Sequence, residues 1–303
     1  MAKRVLLFIL TNILVITTIS LVVNLLGIRP YLTASGLDLG ALAAFALVWG
    51  CTGSFISLAI SRKMAKWMQG VRVIDPRNPG EFGWLVQSVH DLARHAKLPA
   101  MPEVGVYDSP EVNAFATGPT KARSLVAVSR GLLQQMNRDE IEGVLAHEVA
   151  HIQNGDMVTM TLIQGVVNAF SIFLARVIAY AVAQAMSSRD EEGDFSPMVF
   201  QIVSIVADIC LTILGSMVVA WFSRQREFRA DAGSARLLFG KGKMISALQR
   251  LGRIHDLPVE PQPALAAMKI SSGNNGGKFS FLSLFSTHPP LAERIARLEQ
   301  LPL

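Results

Sequence analysis

An α+β, multi-pass membrane protein is the fold class this sequence predicts, with four transmembrane helices and a water-facing domain that carries a small β-sheet. Three observations predict it. Of 303 residues, 51% are hydrophobic and only 17% charged, where a soluble globular chain holds about 25% charged residues. Mean hydropathy is +0.39. Long uncharged tracts alternate with normally charged ones, so part of the chain sits in lipid and part in water.

The tracts are taken in order. Val5 to Ile28, "VLLFILTNILVITTISLVVNLLGI", carries no charge and is long enough to cross a bilayer core. It exceeds the apolar stretch of a signal peptide and no small-x-small cleavage site follows, so it reads as a retained span. Leu37 to Ile60 is the second, with Asp38 near its start. Its small residues Gly40, Ala43, Ala44, Gly50 and Gly53 suit close helix packing in lipid. Met157 to Met186 and Met198 to Phe222 are the third and fourth, separated by the acidic "SSRDEEGDFSP". The expected organisation is a membrane hairpin over 1–66 (spans about 5–28 and 37–60), a soluble part over 67–155, a second hairpin over 156–222 (spans about 157–186 and 198–222), and a second soluble part over 223–303.

Lys3, Arg4, Arg62, Lys63, Lys66, Arg224, Arg226 and Arg229 cluster beside these tracts. By the positive-inside rule both termini and the soluble parts face the cytoplasm. The net charge of +5 therefore flanks membrane spans. No basic helix with interleaved aromatics is present, so nucleic acid is excluded as a partner and the lipid bilayer is expected instead. Cys51 and Cys210 lie inside apolar tracts and build no disulfide framework.

In the soluble parts, "EFGWLVQSVHDLARHAKL" has helical spacing of apolar residues. "EVGVYD", "VNAFATG" and "SLVAVS" are short and β-rich, and "GPTKAR" closes the last two into a hairpin. "NRDEIEGVLAHEVAHIQNG" reads as a helix, with Asn137 as N-cap, Glu140 three residues on and Gly155 at the end. Beyond the fourth span, "SRQREFRADAGSARLL" and "KGKMISALQRLGRI" are helical in pattern, and "SSGNNGGKFS" is a low-complexity loop. "THPPLAERIARLEQL" reads as a terminal helix with proline in its first turn. No internal repeat is apparent.

Within "GVLAHEVAHIQNG", His147 and His151 stand four apart and share a helix face, so both imidazoles can reach one tetrahedral ion. Glu148 is placed to take a proton from a water activated by that ion. Two ligands hold an ion weakly, and the acidic candidates for a third are Asp156, Asp231 and Glu227. The metzincin continuation is excluded, because Asn154 and Met157 stand where glycine and histidine are required. The third and fourth spans form a hairpin, so "REFRAD" returns to the membrane face at which the histidine helix ends, and this favours Glu227. Asp231, one turn on, can accept a hydrogen bond from a ligand imidazole and fix its tautomer. A zinc-binding scaffold or sensor without turnover competes with an enzyme here. Glu148 discriminates, since a structural site needs no base beside its ligand. A transporter is disfavoured by the scarcity of midplane polar residues and repeats.

"NAFATG", "HEVAH", "REFRAD" and "THPPLAERI", in this order and with four spans in these places, resemble the HtpX family of bacterial membrane-bound zinc metalloproteases, related to the CAAX prenyl endopeptidases. The resemblance covers essentially the whole chain. It implies a gluzincin-type zincin domain on the cytoplasmic side, one catalytic Zn2+, and an endopeptidase that cleaves misfolded or damaged membrane proteins at the bacterial inner membrane in protein quality control and stress response. Carried over residue by residue, His147, His151 and Glu227 match the metal ligands and Glu148 the catalytic glutamate.

Further expectations attach to single residues. His288 in "STHPPL" is a candidate donor to the oxyanion of peptide hydrolysis. Asn113, Ala114, Phe115 and Ala116 form a candidate edge strand that binds substrate by β-augmentation. His90, His95 and His255 read as ordinary packing or polar-face residues. Arg176 and Asp208, inside the third and fourth tracts, are expected to pair, and Gln164 and Asn168 either line a substrate groove or hydrogen-bond between helices. Self-cleavage is expected once detergent replaces lipid, with the loop at Gly273–Lys278 as an accessible target.

Overall fold

Asp38 sets the start of the first long helix described. Its Oδ1 accepts from the backbone N–H of Gly40 (2.9 Å) and Ala41 (3.0 Å), so this charge caps a helix end rather than entering the span. The structure, a computed structural model, describes residues 30–33, 36–187, 196–255 and 284–302, with a few isolated positions between 17 and 27. Most of the first predicted span, most of the acidic connector and the low-complexity loop with Gly273–Lys278 lie outside these residues, as does the side chain of His255.

In chain order the elements are β1 (Leu32–Thr33), β2 (Gly36–Leu37), α1 (Leu39–Met68), β3 (Arg72–Val73), α2 (Gly83–His95), β4 (Glu103–Tyr107), β5 (Ala114–Thr120) and β6 (Arg123–Ser129). There follow α3 (Arg130–Gln135), α4 (Arg138–Asn154), α5 (Asp156–Ser187), α6 (Pro197–Leu237), α7 (Gly242–His255) and α8 (Leu291–Glu299). The chain is mostly helical with small sheets. It divides into two compact units, residues 1–57 with 161–219, and residues 58–160 with 220–303.

In the first unit, three helices among the described residues are long and apolar enough to cross a membrane: α1, α5 and α6. Ile202, Ile205, Val206 and Ile209 of α6 stand exposed, as lipid-facing side chains do. A Cβ on Gly50 would lie 2.4 Å from the backbone nitrogen of Ala169, so α1 and α5 meet backbone to backbone at a position where only glycine fits. Arg176 and Asp208 form the expected ion pair. Gln164 donates to Asn168 Oδ1 (2.8 Å), and Asn168 to the carbonyl of Gly50 (3.5 Å), so both residues bond along and between helices.

In the second unit a four-stranded sheet runs in the order β3–β4–β6–β5. β4 and β6 are parallel and the other pairs antiparallel, leaving β5 at an edge. One core joins Leu85, Val89 and Leu92 of α2, Val126 and Val128 of β6, Leu145 and Ile152 of α4, and Leu248 of α7. The signals read for α4 hold: Asn137 and Glu140 form a reciprocal capping box, and Gly155 ends the helix in the left-handed region at φ 71°. The hairpin of β5 and β6 turns on Lys121 and Ala122. His90 contacts the carbonyl of Pro102 (3.3 Å) and His95 packs edge-on against Phe239, both in packing roles.

At four places the structure extends or corrects this reading. "SRQREFRADAGSARLL" is helical as read, and it continues α6, which runs for 41 residues with its proline at the first position and carries Gly215 and Gly233 inside it. α1 likewise passes Ile60 and ends at Met68. β3 was not foreseen, since two exposed residues carry no alternation to read. Pro290 stands at the N-cap of α8, with ψ 139°, rather than within its first turn.

Candidate metal centre

α4 presents His147 and His151 on one face, and the same helix buries almost every apolar side chain around them. α6 meets α4 at Gly233, where an added Cβ would come within 2.8 Å of the Ala150 methyl. That close approach carries Glu227 and Asp231, on the preceding turns of α6, to the histidines.

Three ligand atoms then converge. His147 Nε2 and His151 Nε2 lie 3.1 Å apart, and Glu227 places Oε2 3.4 Å from the first and Oε1 3.3 Å from the second. A tetrahedral ion with bonds of about 2.0–2.1 Å requires donors roughly 3.3–3.4 Å apart, so the residues fit a metal ion, and they alone form such a group among the described residues. The outer nitrogens are already engaged. His147 Nδ1 lies 2.9 Å from Asp231 Oδ1, and His151 Nδ1 lies 2.6 Å from Asp156 Oδ2. With each Nδ1–H donated to a carboxylate, both Nε2 lone pairs face the centre.

Charge favours a cation here. Burial would lower the His147 pKa, but hydrogen bonds to Asp231 and Glu227 lift it to about 9. His151 is raised too: burial opposes this, and Glu227 and Asp156 outweigh burial. Glu227 lies beyond the predicted span. Burial would raise its carboxyl, yet His151 and His288 hold it well below the usual carboxylate range. A proton and a divalent cation thus compete for the same histidine nitrogens.

The sequence did not mark Arg294, which α8 buries completely. Its Nε and Nη2 donate to the two oxygens of Asp231 at 2.8 and 2.7 Å, and Nη1 approaches Glu227 Oε2 at 3.7 Å. The guanidinium thereby balances the second carboxylate of α6. Asp156 was foreseen only as a candidate ligand; it accepts from His151 instead.

One cleft opens on the group. β5 supplies Ala114, Phe115 and Ala116 to it, and α4 supplies Glu148 beside the two histidines. α6 adds Arg226 and Glu227, and His288 stands at its wall with Nδ1 2.9 Å from Glu227 Oε2. Arg224 holds the chain before His288 by donating to the carbonyls of Leu284 (3.2 Å) and Ser286 (2.7 Å). Asn113 is buried: Ser129 N–H donates to its carbonyl (2.9 Å) and its own N–H donates to Ser129 Oγ (3.1 Å). Pairing then continues Ala114↔Val128, Phe115↔Ala127, Ala116↔Val126. Antiparallel ladders alternate, so Asn113 and Phe115 turn their backbone groups to β6, and Ala114 and Ala116 turn theirs to the open edge.

Residues 79–301 match Peptidase family M48. The chain is 56% identical over 308 residues to a Protease HtpX homolog of Bacillus subtilis (strain 168), covering 99% of each. It is 53% identical over 297 residues to a Protease HtpX homolog of Paracidovorax citrulli (strain AAC00-1), covering 98% of each. In fold it is similar to the crystal structure of S. mikatae Ste24p, with a TM-score of 0.58 at 19% identity, over 98% of this chain and 66% of that one. A helix-borne pair of histidines completed by a carboxylate, within a sequence match over most of its length, places this chain in peptidase family M48 as a metalloprotease.

Proposed function

We propose that this protein is a membrane-embedded zinc endopeptidase that cleaves misfolded or damaged membrane proteins at the cytoplasmic face of the bacterial inner membrane, in stress-linked quality control. The observation that carries the reading is the donor group itself: three side chains whose facing nitrogens and carboxylate oxygens lie 3.1–3.4 Å apart, with both outer imidazole nitrogens held by carboxylates. His147, His151 and Glu227 would hold the ion, oriented by Asp231 and Asp156. When bound, zinc supplies Lewis-acid chemistry, lowering the pKa of a water toward 7 and polarising a carbonyl.

The chain's residues do the rest. Glu148, buried in the cleft beside the ligands, takes the proton of the attacking water and returns it to the leaving amine. His288 fixes Glu227 Oε2 through Nδ1. With its ring held by Glu227 in this way, His288 at the cleft wall is the donor to the developing oxyanion. The open backbone of Ala114 and Ala116 pairs with an extended peptide whatever its side chains, as broad specificity requires.

The test is metal analysis and casein proteolysis on wild type and Glu148→Gln side by side. Both should carry one zinc, and only wild type should cut casein and, in zinc-replete detergent, itself. Equal turnover in the two would overturn the mechanism.

A further inference from the structure

Arg226 is the cleft residue whose hydrogen bonding is incomplete. Its Nε–H is buried without a partner, and its one ion pair among the described residues is a long one, Nη2 to Glu227 Oε1 at 3.4 Å. By contrast the neighbouring arginines on α6 are provided for: Arg224 donates to the carbonyls of Leu284 and Ser286, and the side chain of Arg229 is largely exposed to solvent. A buried charged donor left unpaired costs about 1–3 kcal/mol or more, so a native one calls for a partner that arrives later. Arg226 lines the cleft that also holds Ala114, Ala116 and Glu148, and what enters that cleft can supply the acceptor.

The chemistry of that acceptor follows from β5. A peptide paired along the open edge of β5 uses the carbonyls of alternate residues on β5, and those of the intervening residues point away from it. They face the part of the cleft wall that β5 does not form, and α6 contributes Arg226 there. We propose that Arg226 binds substrate by donating to a main-chain carbonyl of the extended peptide, on the side opposite its pairing with β5. This rests on the reading of the cleft as a peptide site. Because a carbonyl occurs at every residue, Arg226 adds grip without side-chain preference. An acidic-side-chain subsite would instead make the enzyme selective.

The experiment measures kcat and KM of the zinc-loaded full chain in detergent on two quenched fluorescent peptides, one neutral and one with acidic residues flanking the cleaved bond. Arg226→Met and Arg226→Lys are compared with wild type, with zinc stoichiometry followed throughout. Arg226→Met should raise KM about 10- to 100-fold on both peptides with one zinc retained. Lysine, which keeps the charge but lacks the Nε–H, should rescue only in part. Unchanged KM would overturn the proposal, as would a defect confined to the acidic peptide or a loss that tracks zinc content. If wild type cleaves neither peptide, the endopeptidase reading fails instead, and the two failures are distinguishable.

Discussion

Asp156 stands one residue past the glycine that ends α4, and it accepts from His151 Nδ1 at 2.6 Å. Replacing it with asparagine keeps the shape and removes the charge that favours the correct tautomer. Zinc affinity should fall about 10- to 100-fold, measured by competition with a chelator; unchanged affinity would remove Asp156 from the site. His288→Phe should leave zinc bound while lowering kcat roughly 100-fold or more. Equal turnover in a folded enzyme would strike His288 from the mechanism. At this scale the histidine motif was legible because its spacing is local, and Glu227 because a hairpin returns it to the same place. Asp156 and Arg294 were not. An acidic residue near a ligand can serve as ligand or as partner, and only distance decides which. Arg294 sits in an amphipathic helix where arginine ordinarily faces water, and its burial is dictated by Asp231, 63 residues away.

The hairpin of β5 and β6 was readable as an element, since "VNAFATG" and "SLVAVS" are β-rich and flank turn residues. Which backbone groups face outward was not readable, because that parity is set by the Asn113 and Ser129 pair. It makes the Ala116 position informative. Proline there deletes an N–H that points to the open edge and spares the bonds to β6. Ala116→Pro should cut the rate on an unfolded substrate about tenfold or more, mainly through KM, with zinc unchanged. Full activity would refute the edge strand as a substrate ledge. The unbroken α6 was also hidden: hydropathy changes at Phe222 and suggested the end of the span, but no proline stands there to stop the helix, and the isolated Gly233 is carried inside it.

Across the whole molecule, composition and hydropathy announced a chain divided between lipid and water, and three of the four expected membrane helices fall among the described residues. The division into two units was less legible, because α1, α5 and α6 each contribute residues to both. In the membrane unit the pairing of Arg176 with Asp208 predicts a charge effect. Each single reversal, Arg176→Asp or Asp208→Arg, should lower the yield of intact protein in membranes, and the double swap should recover it. A double mutant no better than either single would show that the pair contributes nothing. An unpaired charge at such depth costs about 2.5–3.5 kcal/mol on insertion scales, enough to be seen.

The order of the parts along the chain has one more consequence. His147, Glu148 and His151 precede residues 161–219 of the membrane unit, whereas Glu227, His288 and Arg294 follow them. A ribosome therefore delivers the two halves of the site well apart in time, the histidine helix first and Glu227, His288 and Arg294 after the intervening membrane segment. A nascent chain halted before residue 227 carries His147 and His151 without the carboxylate that completes the donor group. With two of its three donors, such a fragment should hold an ion only weakly.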